Sequence, residues 1–280
     1  MLSFTFLGNE FILAAASAFD PEDDMQPALL LYDLNQPEGP SRPSRGVINP
    51  DAYLLRFLFR TPRPAQGSPA IFLTSDPSPD WSSSPDLHVP FQIPCDERII
   101  AVNLHRFYLG DSRSETFLIP ARGLLGHVGD ITVGGEGRDI EWKEWGLSCA
   151  EPVRHHGRWS SYTCFVYGMR HVMPMAAVRD DRHVMIVRDL CPKRCMRASE
   201  EERSESDALH QAMGYEGRYP RSIVRCAPLP ANIRESSDVH LMISEDGIIV
   251  LEVRHTQVCV FMAARLMRLG YRMTMKLKIT

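Results

Sequence analysis

No segment of this chain approaches the roughly 20 consecutive apolar residues that a membrane-spanning helix requires. Asn-x-Ser/Thr sequons are absent, and the apolar run within residues 1–18 lacks the preceding Lys or Arg of a secretory signal. The seven cysteines are odd in number and scattered, which is typical of small hydrophobic side chains in a reducing compartment. We therefore expect a cytoplasmic or nuclear protein with no membrane span.

Basic residues are scarce in most of the chain. Residues 254–280 hold six of the 31 Lys and Arg and none of the 35 acids, so residues 1–253 carry 25 bases against 35 acids. An acidic body argues against nucleic acid as a partner, because such binding is driven chiefly by phosphate neutralisation. We predict two regions: a body at 1–253 and a basic tail at 254–280.

The tail divides into two patterns. Residues 257–269 are mostly apolar, with Arg265 and Arg268 at helical spacing, which predicts a helix. Residues 271–280 alternate between apolar and polar side chains, which predicts a half-buried strand, and the lysines on its polar face suit a sheet edge.

The clearest structural signal is a hairpin at residues 239–253. Two apolar, β-branched runs flank Asp246-Gly247, a dipeptide that suits a type I′ turn. A two-residue loop would place Ile243 opposite Val250, with large apolar side chains on both faces of the ribbon. Such a ribbon must be covered on both sides, so it belongs inside a layered or repeated β structure.

Further strands follow the same signals along the chain. We predict a meander from strands at 3–7, 11–16 and 28–34, strands at 52–60, 70–74, 139–145 and 223–227, and hairpins at 98–121, 161–172 and 173–189. Residues 110–114 are expected to form the turn of hairpin 98–121. Residues 121–127 suit a helical turn, and 198–217 a short helix beginning near Ser204.

Apolar hairpins thus recur at loose intervals, longer than the roughly 40–45 residues of a compact propeller repeat. Radial stacking of meanders is one of few arrangements that shelter many two-sided apolar strands. We predict an all-β fold, an irregular or incomplete β-propeller-like stack of antiparallel meanders with minor helix.

Several short phrases at predicted strand ends carry a family resemblance. They are Leu-Leu-Leu-Tyr-Asp-Leu at 29–34, Val-Pro-Phe-Gln-Ile-Pro at 89–94, Arg-Ile-Ile-Ala-Val at 98–102, Phe-Leu-Ile-Pro-Ala at 117–121, Gly-Met-Arg-His at 168–171, Val-Arg-Asp-Leu-Cys-Pro at 187–192 and Leu-Met-Ile-Ser-Glu-Asp-Gly at 241–247. Together they resemble the propeller-type C-terminal region of F-box-associated proteins of mushroom-forming fungi, over most of residues 1–253.

The resemblance implies a protein-interaction region and no catalytic residues. In that family an N-terminal F-box recruits a ubiquitin-ligase scaffold, and the β region binds the partner. This sequence starts inside a strand pattern without an F-box, so a ligase is expected as a partner only if an F-box lies upstream in the full gene product. The basic tail also departs from the family.

Motifs for metal binding and phosphorylation are incomplete. Cys191 and Cys195 have a zinc-like spacing with His183 nearby, but zinc sites of this kind use a second pair. Residues 20–24 are acidic without the spacing of an EF-hand loop. Ser199, followed by three glutamates, suits either an acidophilic kinase or an ordinary exposed loop.

Catalytic motifs are incomplete too. Residues 110–114 miss the last glycine of a Gly-x-Ser-x-Gly elbow, and the glycine-rich residues 134–137 lack the Lys-Ser/Thr that a phosphate loop carries. We therefore predict no catalytic residue, no cofactor and no metal.

The surface most suited to recognition is the run Arg154, His155, His156, Arg158 and Trp159. Arg and Trp are enriched in binding hot spots, and the run is polar enough for a loop, although Trp159 also suits a buried anchor. The sequence thus predicts a non-enzymatic module that binds a protein or peptide. The alternative is a small-molecule-binding or hydrolytic β-propeller with a central polar pocket.

Overall fold

The computed structural model describes residues 3–16, 26–35, 53–59, 70–75, 97–108, 111–130, 137–153, 165–176, 183–213, 222–229, 238–243, 247–254, 257–264 and 274–279. Its contacts divide the chain into two compact units, Met1–Pro152 (unit 1) and Val153–Thr280 (unit 2). The predicted boundary between residues 253 and 254 falls inside a strand of unit 2.

Strands are short and numerous, as expected from a chain with 21 prolines and 18 glycines. Unit 1 and its boundary hold Phe4–Leu7 (β1), Phe11–Ala16 (β2), Ala28–Asp33 (β3), Leu55–Leu58 (β4), Ala70–Thr74 (β5), Ile99–Tyr108 (β6), Asp111–Pro120 (β7), Arg138–Ile140 (β8) and Glu151–Val153 (β9). Unit 2 holds Phe165–Tyr167 (β10), Arg170–Ala176 (β11), His183–Asp189 (β12), Ile223–Pro228 (β13), Asp238–Ile243 (β14), Gly247–Arg254 (β15), Gln257–Ala264 (β16) and Thr274–Ile279 (β17).

Helices are a minor component. In the described part of the chain they are Ala121–Leu125 (α1), Trp142–Cys149 (α2), Pro192–Arg197 (α3) and Glu200–Ala212 (α4), with a 3-10 turn at Val128–Asp130. No helix among the described residues is long and apolar enough to cross a bilayer.

The described strands form four sheets, two in each unit. Their strand orders are β1-β2-β3-β4-β8 (sheet A), β5-β6-β7-β9 (sheet B), β10-β11-β12-β13 (sheet C) and β14-β15-β16-β17 (sheet D). The consecutive strands pair antiparallel as meanders, whereas β4 and β8 are parallel. None of the sheets closes on itself within the described ranges. The mostly β class predicted from the sequence is confirmed.

In unit 1, sheets A and B enclose an apolar core. Leu13 and Leu31, paired across β2 and β3, are fully buried with Val102 of β6 and Ile119 of β7. Helix α2 adds Trp145, whose indole N–H donates to the Leu58 carbonyl at 3.1 Å. Alternate residues of β1, β2 and β3 face this core. The three strands of the first meander lie where the sequence predicts them.

Sheets B and C are each buried on both faces. In sheet B, Ile100 and Ile119 pair on one face, Ala101 and Leu118 pair on the other, and all four side chains are inaccessible to solvent. In sheet C, Val172 and Met185 lie on one face and Met173 and Ile186 on the other, and all are buried. The expectation that apolar ribbons require cover on both sides holds for these two sheets.

Three of the sequence predictions are wrong in secondary structure. Residues 111–114 belong to strand β7 rather than to a turn, since Asp111 pairs with Tyr108 and Ser114 with His105. Trp142–Cys149 is a helix rather than the end of a strand, because Trp142, Trp145 and Cys149 share the face packed on the core. Gln257–Ala264 is a strand rather than a helix, since a continuous apolar run is compatible with either.

Two boundaries also differ. In the 239–253 hairpin, Ile243 pairs with Ile248 and Leu241 with Val250, two residues from the predicted register. A shift of two keeps every side chain on its own face, so Leu241, Ile248 and Val250 still share the core of unit 2. Helix α4 begins at Glu200 because Ser199 caps it, which a Ser-x-x-Glu signal could have predicted. The edge strand at the end of the chain is confirmed as β17.

Candidate functional site

The residues predicted to form a recognition surface fall in unit 2. Arg154, His155, His156, Arg158 and Trp159 follow the last residue of β9 and precede β10, and all five lie outside the described residues. Their role as a binding surface stays a prediction. The acidic residues 20–24 and the glycines at 134–136 also lie outside the described residues.

The cysteine pair lies at the start of α3. Cys191 precedes the first helical residue, its backbone N–H donates to Asp189 Oδ1 at 3.0 Å, and Cys195 Sγ donates to the Asp189 carbonyl at 3.5 Å. Across the part of the chain that the structure describes, no three His, Cys, Asp or Glu side chains come together as a metal site. These two hydrogen bonds tie the first turn of α3 to Asp189 at the end of β12.

Ser199 is the N-cap of α4 and is held by a reciprocal pair of hydrogen bonds. Its hydroxyl accepts from the Glu202 N–H at 3.1 Å, and its own N–H donates to Glu202 Oε2 at 3.0 Å. The Ser199 N–H and then Arg225 hold the pKa of Glu202 below its usual value. The carboxylate of Glu202 also pairs with Arg225 and lies 3.7 Å from Arg194. This cluster joins α3, α4 and β13.

A polar ladder crosses the interior of sheet B. Thr116 Oγ1 donates to Asn103 Oδ1 at 2.7 Å, and two pairs further along the register Ser114 Oγ lies 2.6 Å from His105 Nδ1. The ring of Phe72 meets the His105 ring edge-on, with centroids 5.6 Å apart. Sequence reasoning missed this ladder because it assigned Ser114 to a turn. The alternation of Asn103 with His105 across β6 was the available signal.

Burial lowers the pKa of His105. Well above about pH 6.5 the imidazole is neutral in both folded and unfolded chains, so His105 adds no pH dependence there. As pH falls below that value, the unfolded chain takes up a proton that the folded chain resists, and stability decreases.

We therefore expect the urea midpoint of the wild type to fall between pH 7.5 and pH 5, and to fall less in His105→Gln. The midpoints are measured by far-UV circular dichroism. His210→Gln serves as the control for loss of a histidine, because His210 lies on α4 and reaches Ser222 Oγ at the weaker distance of 3.3 Å. If the urea midpoint falls equally with pH in the wild type and in His105→Gln, burial of His105 is not a source of the pH dependence.

The outer face of sheet A, opposite the unit 1 core, carries apolar side chains that remain accessible to solvent. Phe4 and Phe6 of β1 are 56% and 36% exposed, and their rings meet edge-on with centroids 6.0 Å apart. The register extends this face through Ile12, Leu30 and Tyr32, which are half-buried. We call these five residues the outer face of sheet A.

Sequence reasoning placed β1 correctly but missed this surface. In Phe-Thr-Phe-Leu, alternation shows that Phe4 and Phe6 share a face, yet it does not show which face is covered. Large apolar side chains grouped on an accessible sheet face are typical of interaction sites. Compared with known proteins, the chain matches no family model, no curated protein and no solved structure.

Proposed function

We propose that this protein is a non-enzymatic, intracellular scaffold that binds a protein or peptide on the outer face of sheet A. The observation that carries the proposal is the exposed aromatic pair, Phe4 and Phe6, on a sheet whose opposite face packs on the unit 1 core. Burying two phenylalanines of this size supplies several kcal/mol of driving force for association, on the order of 1.5–3 kcal/mol each. A rigid, packed support keeps that surface from collapsing into the core.

We also infer that the meanders form an incomplete β-propeller-like stack. Within unit 1 the first strand of sheet B lies against β1 and β2, and within unit 2 the first strand of sheet D lies against β10 and β11. Adjacent first strands and sheets covered on both faces support a radial arrangement of meanders in each unit. An exposed outer face on sheet A fits a stack that is left open there.

The resemblance to F-box-associated proteins extends the proposal. If the full gene product carries an F-box upstream, the partner held by this region would be presented to a ubiquitin ligase. Without an F-box, the region would bind its partner alone. Sequencing the transcript upstream of Met1 separates these two cases.

Proximity labelling in cells tests the proposal. We expect Phe4→Ser/Phe6→Ser to lose a defined set of labelled proteins that the wild type retains, because polar side chains remove the apolar contact. Leu147→Ser is the matched control, since Leu147 is equally exposed, at 55%, on a different element, α2. Far-UV circular dichroism checks that each variant is folded. An unchanged labelled set in the double variant would overturn the proposal.

The same experiment includes the loop predicted from the sequence. Arg158→Glu/Trp159→Ala should change the labelled set only if that loop contributes to the surface. A loss confined to the loop variant would move the binding site from sheet A to the loop.

A second candidate is hydrolysis, which the close approach of Ser114 Oγ to His105 Nδ1 favours. A hydroxyl bonded to a neutral imidazole is the minimum arrangement for a serine nucleophile. In the same ladder, Asn103 and Thr116 form a side-chain hydrogen bond of the same kind. Cross-strand pairing therefore also explains the Ser114–His105 contact, and we rank hydrolysis second. Labelling of Ser114 by a fluorophosphonate probe, lost in His105→Gln, would favour hydrolysis.

A further inference from the structure

We propose that β1 accepts an extended peptide as an additional antiparallel strand of sheet A, with apolar side chains at alternate positions packed on Phe4 and Phe6. The inference rests on the proposed function and specifies its partner: a linear segment in β conformation, recognised through its backbone.

The backbone of β1 has a free edge among the described strands, since β1 is terminal in sheet A. Ala15 N–H donates to the Ser3 carbonyl at 2.8 Å, and the register places Thr5 opposite Leu13 and Leu7 opposite Phe11. Hydrogen-bonded and non-bonded pairs alternate along an antiparallel ladder. The N–H and C=O groups of Phe4 and Phe6 therefore point away from β2, toward the edge.

The side chains of Phe4 and Phe6 determine which positions of the partner strand should be apolar. Residues directly opposite each other in an antiparallel pair lie on the same face of the sheet. The partner residues opposite Phe4 and Phe6 would thus join the outer face of sheet A, beside two phenylalanines in edge-on contact. An apolar side chain at each of these alternate positions is the complementary choice.

The edge is held in place before any partner binds. Besides its ladder to β2, β1 is tied to sheet B, because the hydroxyl of Ser3 accepts from the Leu73 N–H at 2.8 Å. Leu7, at the other end of β1, is fully buried in the core of unit 1. A preformed edge lowers the ordering cost of association.

Protection of the edge by charge or proline is missing from β1. Soluble proteins guard edge strands with Lys, Pro or inward charges, and β17, at the edge of sheet D, carries Lys276 and Lys278 at alternate positions. The four residues of β1 are Phe-Thr-Phe-Leu, with neither charge nor proline. An unguarded edge with exposed aromatic side chains is suited to strand addition.

The probe is a fluorescein-labelled peptide, Lys-Thr-Val-Thr-Val-Thr-Val-Thr-Lys, and its binding to the full chain is measured by fluorescence anisotropy. If the valines pack on the outer face, their N–H groups face β1. We expect N-methylation of the valines to weaken binding by about tenfold or more, because it removes about one or two hydrogen bonds to β1. N-methylation of the threonines should leave binding unchanged, because those N–H groups face solvent.

Two protein variants separate backbone from side-chain recognition. Phe6→Ala removes the ring only, whereas Phe6→Pro also removes an N–H that takes no part in the β1–β2 ladder. We expect Phe6→Pro to bind the probe more weakly than Phe6→Ala, with both variants folded by circular dichroism. Leu147→Ala is the control and should bind as the wild type does.

The outcomes are distinct. Strand addition would be overturned if both N-methylated peptides bound equally weakly, or if Phe6→Ala and Phe6→Pro bound the probe equally. Neither result would bear on the scaffold proposal, which the proximity-labelling experiment tests. Failure of the wild type to bind the probe at all would also overturn it. Wild-type dimerisation that Phe6→Pro abolishes in analytical ultracentrifugation would show that a second copy, not a peptide, occupies the edge.

Discussion

Replacing Trp145 with alanine is expected to lower the free energy of unfolding of unit 1 by about 3–5 kcal/mol. The indole is inaccessible to solvent and packs edge-on against Phe57, Phe59 and Trp142, with ring centroids 5.0–5.4 Å apart. Its N–H also satisfies the Leu58 carbonyl at the end of β4. The truncation removes apolar contact, opens a cavity and leaves that carbonyl without the indole donor.

Urea unfolding followed by circular dichroism gives the change in stability, and hydrogen exchange read by mass spectrometry assigns it to unit 1. Leu147→Ala on the same helix is the matched control, because Leu147 is exposed and its loss should change stability by less than about 0.5 kcal/mol. If Trp145→Ala and Leu147→Ala had equal midpoints, α2 would not be packed on the core as described.

The second large effect has an unusual sign. Within a helix, Gly→Ala normally stabilises by about 0.5–1 kcal/mol, yet Gly146→Ala is expected to destabilise by about 1–3 kcal/mol. A Cβ at Gly146 would overlap the indole ring of Trp142 one helical turn earlier. That ring has little freedom to move, because Phe117, Trp145 and Phe59 surround it at 5.0–5.7 Å between centroids.

A double-mutant cycle tests this steric explanation. In a Trp142→Ala background, Gly146→Ala should become neutral or stabilising, since the ring that it would meet is gone. Gly129→Ala serves as the control, because a Cβ there has no neighbour within 4 Å. If Gly146→Ala is destabilising to the same extent in both backgrounds, contact with Trp142 is not the cause.

Much of the fold was predictable because strands follow a period of two. The first meander, β5 and β17 were predicted closely, since each is short, apolar and bounded by turn residues. One of the errors has a clear physical origin. A continuous apolar run such as Gln257–Ala264 has no period, so local sequence does not separate helix from strand; pairing of Val260 with Leu251 decides it.

The candidate site was less predictable. Arginine, histidine and tryptophan drew attention to residues 154–159, whereas the described surface that best fits binding uses Phe4 and Phe6, which read as ordinary core residues. A phenylalanine in a strand has the same local signal whether its face is packed or exposed. The Ser114–His105 pair was equally hidden, because two residues nine positions apart meet only through the register of β6 and β7.

By itself, the sequence determined the chemical character of each strand face, because successive side chains alternate and this alternation survives a register shift of two. Only the tertiary structure decided which apolar faces are covered. Leu13 and Phe4 have comparable hydrophobicity, but one is fully buried and the other is 56% exposed. A strand face is buried only when another sheet packs against it. That sheet is formed by segments distant in sequence, so the local pattern of a strand does not predict its burial.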